Sequence, residues 1–138
     1  MNALIDTSVL LRKLFGEPNP LREWSRINVA FASRILLLEL GRAIDRCRLA
    51  GDLDDAAVVH LHEEARRVLR SVEVIALSEP ILVRAASAMP TVLGSLDALH
   101  LATAVELARD RKTPIVVATH DAQLARAALS SGLDVVGV

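Results

Sequence analysis

The sequence is poor in cysteine and aromatic residues and has no long hydrophobic run. Cys47 is the one cysteine, which excludes an internal disulfide or a thiolate zinc cluster and predicts a reducing, cytoplasmic setting. Aromatic residues are only 2% of the chain, which leaves few stacking platforms for single-stranded bases. The longest aliphatic run, residues 35–38, ends at Glu39, far short of the roughly 18 apolar residues of a membrane span. Because Asp6 interrupts the apolar N-terminal stretch, no secretory signal peptide is expected.

Charge is nearly balanced, while hydrophobicity is high for a chain of 138 residues. With 16 basic and 17 acidic side chains, the net charge of −1 lacks the basic excess typical of nucleic-acid-binding domains. Hydrophobic residues make up 52% of the chain and the mean hydropathy is +0.38, whereas so small a core covers only about two-thirds of the surface of its chain. The surplus apolar surface predicts a homodimer or a partner interface. The candidate faces are the helices predicted at 34–50 and 79–89, the second through Ile81, Leu82 and Ala85 or Ala86.

Short apolar runs alternate with amphipathic stretches along the chain. Continuously apolar strands separated by helices are typical of a parallel sheet covered on both faces, so the predicted fold class is α/β. The length fits one domain over residues 1–138. Ser33 precedes the second predicted helix and is expected to cap it. The predicted strands are 2–5, 29–32, 72–77, 114–118 and 134–138, and the predicted helices are 7–15, 34–49, 54–70, 79–89, 95 or 97 to 109, and 121–130.

Four acidic residues stand apart from the other charges. Asp6 and Asp121 each follow a predicted strand, and Asp97 opens a neighbouring helix. Since the carboxyl ends of parallel strands share the edge of the sheet where ligands bind, these three side chains are expected to converge there. Glu39 lies on the second helix, away from the apolar stripe that includes Leu40, and is expected to point across the same edge.

Helix capping is the simpler interpretation of each aspartate, because Asp is a favoured N-cap and a carboxylate stabilises a helix N-terminus. Two features favour a shared site instead. Thr7, Ser95 and Thr119 are available as caps, and no Lys or Arg adjoins any of the three aspartates. Carboxylates about 4 Å apart repel by roughly 4 kcal/mol at an effective dielectric near 20, so a cluster requires raised pKa values or a bound cation. Oxygen ligands of this kind favour Mg²⁺ or Mn²⁺.

The residues around these acids resemble, in order and spacing, the sequence signature of PIN-domain ribonucleases. Within that family the chain is most similar to the VapC toxins of toxin–antitoxin modules, and the resemblance extends from the first strand to the last. The segments that carry it are Asp6-Thr7-Ser8-Val9-Leu10-Leu11, Leu37-Leu38-Glu39-Leu40, Ser95-Leu96-Asp97-Ala98-Leu99-His100-Leu101-Ala102-Thr103-Ala104 and Thr119-His120-Asp121-Ala122-Gln123-Leu124.

The resemblance implies a PIN-like three-layer sandwich whose central parallel five-stranded sheet has the order 3-2-1-4-5. The implied activity is that of an endoribonuclease toxin of a type II toxin–antitoxin system, cleaving structured cellular RNA (tRNA or rRNA) with Mg²⁺ or Mn²⁺. The implied partners are an RNA substrate and a VapB-like antitoxin, whereas the homodimer is predicted from the surplus apolar surface. The implied catalytic and metal-binding residues are Asp6, Glu39, Asp97 and Asp121, with Thr7, Ser8 and Thr119 in support.

Other functions stay open at this stage. One is a catalytically silent PIN-like binding module, against which the presence of all four acids argues, and another is a different Mg²⁺-dependent phosphoesterase. A metal-independent ribonuclease would need two cooperating histidines. His60 and His62 face different sides of one predicted helix, and His100 is expected to pack beside the site. Candidates for phosphate contact are Arg34, Arg42 and Arg46, although solvated arginines on helix faces are common.

Overall fold

A computed structural model describes residues 1–138. Strands and α-helices follow one another along the chain in the alternation that the sequence predicts. In chain order the elements are β1 (Asn2–Ile5), α1 (Thr7–Leu14), a 3-10 helix (Arg22–Arg26), β2 (Val29–Ser33), α2 (Ile35–Leu49), α3 (Asp55–Leu69), β3 (Val72–Ile75), α4 (Glu79–Ala85), α5 (Ser95–Arg111), β4 (Val116–Ala118), α6 (Ala122–Ser130) and β5 (Asp134–Val136).

The five strands form one parallel sheet in the order β3-β2-β1-β4-β5. This confirms the α/β class and the strand order that the family resemblance implied. The strand order reverses direction at β1, which pairs with β2 on one side and with β4 on the other. In parallel sheets the crevice at the carboxyl edge beside such a reversal is the usual ligand site. The residue that follows Ile5 at the end of β1, Asp6, therefore lies at that crevice.

Helices cover both faces of the sheet, giving three layers. Successive residues of β1 point to opposite faces: Ala3 and Ile5 pack in one core cluster and Leu4 in the other, and all three are completely buried. The first cluster includes buried residues of α1, α2 and α3, and the second includes buried residues of α5 and α6. None of the helices is both long and apolar enough to cross a membrane.

The structure differs from the sequence prediction at two helix ends. Ser33 is the last residue of β2, paired with Ile75 of β3, so it does not cap α2; the residue before α2 is Arg34, whose side chain makes no capping bond. Helix α4 ends at Ala85, well before Met89. The hydroxyl of Ser87 donates to the carbonyl of Val83 at 2.8 Å, and Pro90 disfavours helical geometry at the residue before it.

Two further features depart from expectation. The 3-10 helix Arg22–Arg26 is not among the predicted elements, because it is a single short turn after a proline-rich segment and lacks a helical repeat. Ile81, expected to be exposed on α4, is 3% exposed and belongs to the interior, while Leu82 and Val83 beside it are 41% and 57% exposed. The expectation is therefore wrong for Ile81 and confirmed for Leu82 and Ala86, and Val83 is exposed in addition.

Candidate active site

Asp6 lies at the carboxyl end of β1 and caps α1. Its Oδ2 atom accepts three hydrogen bonds: from the Ser8 amide at 3.3 Å, the Ser8 hydroxyl at 2.5 Å and the Thr119 hydroxyl at 2.9 Å. The residue is 5% exposed. These bonds hold one carboxylate oxygen and leave Oδ1 without a hydrogen bond. Ser8 and Thr119 therefore hold one oxygen of Asp6 by hydrogen bonds.

Thr119 is itself held in place by the residues around it. Its hydroxyl accepts a hydrogen bond from the Asp121 amide at 2.9 Å while donating to Asp6. Gly137, which sequence analysis did not single out, has a φ of +100°, and a Cβ on it would lie 2.6 Å from the Thr119 carbonyl oxygen. Since that contact is too short for any side chain, only glycine lets the chain after β5 approach Thr119 so closely.

Glu39 reaches the same edge from α2. Its Oε2 accepts hydrogen bonds from the Thr7 hydroxyl at 2.5 Å and from His100 Nε2 at 2.7 Å. Burial opposes ionisation, but the bonds from His100 and Thr7 outweigh it, so the pKa of Glu39 is lowered. Glu39 is thus held ionised, with Oε1 free of any hydrogen bond within the protein.

His100 is more closely engaged with the site than the sequence indicated. It is completely buried on α5, and its Nε2 lies 3.5 Å from Asp6 Oδ1 as well as bonding Glu39. Burial opposes the charged imidazolium, but the bond to Glu39 and the charges of Asp6, Glu39 and Asp97 prevail and raise the pKa of His100. His Nδ1 has no hydrogen-bond partner. The only sequence signal was its position one helical turn after Asp97.

Asp97 is the acid that the capping interpretation does not explain. The N-cap of α5 is Gly94, and the Asp97 carboxylate engages in no hydrogen bond. Burial is the main cause that raises its pKa, followed by the charges of Asp121 and Asp6; Glu39 adds to the rise, while His100 opposes it. A partly buried carboxylate among acidic neighbours and without a hydrogen-bond donor is an arrangement that favours a bound cation.

Asp121 both caps a helix and belongs to the acidic group. Its Oδ1 accepts from the amides of Gln123 at 2.6 Å and Leu124 at 2.9 Å at the start of α6. The capping interpretation therefore holds for Asp6 and Asp121, and Thr7 and Thr119, which were available as caps, are not the N-caps of these helices. Capping uses one oxygen of each aspartate and leaves the other available.

The four acids share one cavity of about 340 Å³ at the carboxyl edge of the sheet. A second cavity, of about 370 Å³, lies between α4 and α5, but its buried carboxylate, Glu106, is already neutralised by ion pairs with Arg84 and Arg109. The acidic cavity is therefore the one suited to a cation. Besides Asp6, Glu39, Asp97 and Asp121, its lining consists of Thr7, Ser8, Leu11, Leu38, Leu96, Arg42 and Arg46.

Residues 3–129 match the PIN domain family. The chain belongs to the PIN-domain family. This PIN domain is 32% identical over 113 residues to Ribonuclease VapC47 of Mycobacterium tuberculosis (strain CDC 1551 / Oshkosh), an alignment that covers 77% of this chain and 76% of that protein.

Solved structures share the fold of this PIN domain. VapBC2 from Rickettsia felis, bound to a DNA fragment from its promoter, superimposes with a TM-score of 0.68 at 15% identity over 98% of this chain and 97% of that one. A toxin–antitoxin complex from Klebsiella pneumoniae gives 0.65 at 20% identity, covering 98% and 96% of the two chains. FitAB bound to the IR36 DNA fragment gives 0.68 at 18% identity, covering 96% and 92%.

The donor set of this PIN domain suits a small, hard divalent cation. No three Asp, Glu, His or Cys side chains stand in a geometry that would ligate one ion directly. Mg²⁺ keeps several of its waters and is usually held by only one or two carboxylates together with substrate phosphates. Asp97, with no hydrogen bond and a raised pKa, meets that requirement, and the open oxygens of Asp6, Glu39 and Asp121 are all oxygen donors of the same hard type.

Proposed function

We propose that this PIN domain, comprising residues 1–138 as one domain, is an Mg²⁺- or Mn²⁺-dependent endoribonuclease that cleaves structured RNA such as tRNA or rRNA. The observation that carries the proposal is Asp97, a half-buried carboxylate with no hydrogen-bond donor, in one cavity with three further acids. Similarity to a ribonuclease, VapC47, supports the substrate class. The proposed catalytic and metal-binding residues are Asp6, Glu39, Asp97 and Asp121, supported by Thr7, Ser8 and Thr119.

Hydrogen bonds within the protein orient the carboxylate groups of the proposed site. Ser8 and Thr119 hold Asp6 through one oxygen, and Thr7 with His100 hold Glu39 in the same way. The open oxygens are thereby preset before any ligand enters, which removes the cost of ordering them during the reaction. A bound divalent cation supplies Lewis-acid activation of water and of the phosphoryl oxygen. Burial of Asp6 and His100 keeps bulk water from the inner wall of the cavity.

The charge of the chain is compatible with an RNA substrate. The net charge is −1 with the four site acids counted as ionised. Cations that neutralise these acids would leave the remainder of the protein at +3, so the apparent acidity is concentrated where the metal is proposed to bind. The balanced composition therefore does not argue against binding of a polyanion.

The proposed biological role is that of a type II toxin acting in the cytoplasm, controlled by a VapB-like antitoxin and assembled as a homodimer. The fold neighbours from Rickettsia felis and Klebsiella pneumoniae are toxin–antitoxin structures, and this supports an antitoxin partner here. The single half-buried cysteine fits a reducing compartment. The exposed Leu82 and Val83 of α4 support a second copy as a further partner.

The test is cleavage of bacterial tRNA and rRNA by the purified full chain with Mg²⁺, with Mn²⁺ and in EDTA. We expect cleavage with either ion, none in EDTA, and a loss of several hundred-fold or more in Asp97→Asn, because one ligand charge is removed from a shared site. The matched control is Asp134→Asn, an exposed aspartate at the amino end of β5, which should cleave at the parent rate.

Two outcomes would contradict this proposal. Cleavage that persists in excess EDTA excludes the carboxylate–cation mechanism. Equal rates in the parent and in Asp97→Asn would mean that the nuclease activity, if present, resides elsewhere.

A further inference from the structure

The outer face of α2 brings basic side chains to the acidic cavity. Of the three arginines that sequence analysis named, Arg42 and Arg46 line the cavity and Arg34 does not. Arg42 and Arg46 are one helical turn apart, so they project from the same face of the helix. They are the only cationic side chains in the cavity lining, which otherwise carries four acids.

The two arginines differ in their ion pairing within the protein. Asp45 pairs with Arg42 at 2.9 Å and with Arg48 at 2.8 Å. This shared carboxylate, whose pKa is lowered mainly by the hydrogen bond from Arg48, thus has Arg42 as a partner on the helix surface. Arg46 makes neither an ion pair nor a side-chain hydrogen bond, and it is exposed. One guanidinium on the wall of the cavity is therefore not neutralised by the protein.

Arg46 lies apart from Glu39 along the helix. It lies seven residues beyond Glu39 on the same helix, which places the two backbones about 10 Å apart along the helix axis. The two side chains form no ion pair, and both line the cavity, so an extended polyanion could contact Arg46 and a cation held by the acids together. The cavity lining also includes Leu38 and Leu96, which are 56% and 43% exposed and offer apolar contact to a sugar or base.

We infer that Arg46, with Arg42 beside it, forms a phosphate-binding subsite for the RNA strand on the α2 wall of the acidic cavity. The inference rests on the proposed function and names how its substrate is held. A guanidinium offers a planar fork of N–H donors that matches two phosphate oxygens. Arg42, which is ion-paired with Asp45, supplies a second donor group. The contact is to the backbone and carries no base specificity.

The experiment compares RNA cleavage by the full chain and by Arg46→Gln at several KCl concentrations with Mn²⁺. We expect KM to rise about tenfold with kcat within about twofold, and the salt dependence of kcat/KM to lose about one unit of slope, because one phosphate contact is removed. Arg46→Lys should keep the slope while KM rises less, because its charge remains without the fork. The matched control is Arg70→Gln, an exposed arginine just before β3, at the opposite edge of the sheet, which should match the parent.

The outcomes separate this inference from the proposed function. If the parent cleaves no RNA with either ion, the proposed function fails and the subsite fails with it. If the parent cleaves RNA and Arg46→Gln has the parent KM and salt slope, the subsite alone is overturned. It is also overturned if Arg46→Gln leaves cleavage unchanged but weakens capture of a co-expressed antitoxin, since Arg46 would then be a protein contact.

Discussion

At the scale of single residues, the four acids differ in how the fold treats them. Asp6, Glu39 and Asp121 each have one oxygen held by protein donors. Asp97 has none, and its pKa is raised. Burial and the repulsion between the carboxylates therefore act most strongly on the ionised form of Asp97. A bound cation would stabilise this residue more than the other three acids.

That cost predicts a pH-dependent stability in the absence of metal. The folded state retains the Asp97 proton to higher pH than the unfolded state does, so ionisation of Asp97 destabilises the fold as pH rises above the ordinary pKa of 3.8. In EDTA, Asp97→Asn should therefore melt at a higher temperature than the parent at pH 7, and the gap should close as pH falls toward 4. Thermal unfolding monitored by circular dichroism measures it. A lower melting temperature for Asp97→Asn at pH 7 would show that the carboxylate has a structural role.

At the scale of elements, helix capping and the proposed chemistry share the same aspartates. Asp121→Ala removes the cap of α6 and should lower the free energy of unfolding by about 1 kcal/mol, whereas Asp121→Asn keeps a capping oxygen and should change it little. Both variants should lose RNA cleavage, because both remove the charge. Denaturant unfolding and cleavage rates together separate the two roles.

A matched control exists on another helix. Asp54 caps α3 by accepting from the Ala57 amide at 2.7 Å, and it is not among the residues that line the acidic cavity. Asp54→Ala should lose a similar stability and retain full cleavage. Full cleavage by Asp121→Asn would leave Asp121 as a cap alone.

The strands and helices were largely predictable from the sequence, because each depends on a local pattern of residues. Apolar runs such as residues 3–5 in β1 and the turn residues between such runs indicate strands and helices without tertiary information. Parallel strands then place Asp6 and Asp121 at one edge of the sheet. The strand order came from the family resemblance, since periodicity alone does not specify which strands are neighbours. The structure confirms the alternation of strands and helices and the strand order.

What the sequence did not reveal depends on contacts between distant elements. The bond from His100 on α5 to Glu39 on α2 joins residues 61 positions apart, and nothing in either local pattern indicates it. Ser33 illustrates the same limit: a serine before a helix is typical of an N-cap, but pairing of β2 with β3 extends the strand through it, and its hydroxyl instead accepts from Thr103 at 3.0 Å.

At the scale of the whole molecule, exposed apolar side chains on α4 favour self-association. Val83 is 57% exposed beside the cavity between α4 and α5. We expect light scattering at micromolar concentration to give twice the 14.9 kDa of the chain, and Val83→Asp to give the monomer mass, because an interface does not accommodate an unpaired charge. The control is Val59→Asp on α3, where Val59 is equally exposed at 56%, and it should remain dimeric. A monomer mass for the parent protein would refute the dimer.

Three of the site carboxylates have one oxygen hydrogen-bonded within the protein and one oxygen free. This arrangement affects which ion the protein would accept. In Asp6, Glu39 and Asp121 one oxygen is occupied by donors from the protein, so each offers a single oxygen to a ligand. Ca²⁺ favours six to eight oxygens and readily takes both oxygens of a carboxylate, whereas Mg²⁺ requires a compact octahedron completed by water. Hydroxyl and amide donors that never touch the ion would in this way discriminate against the larger one. The selectivity of the proposed site would then be set by Thr7, Ser8 and Thr119 as much as by the acids themselves.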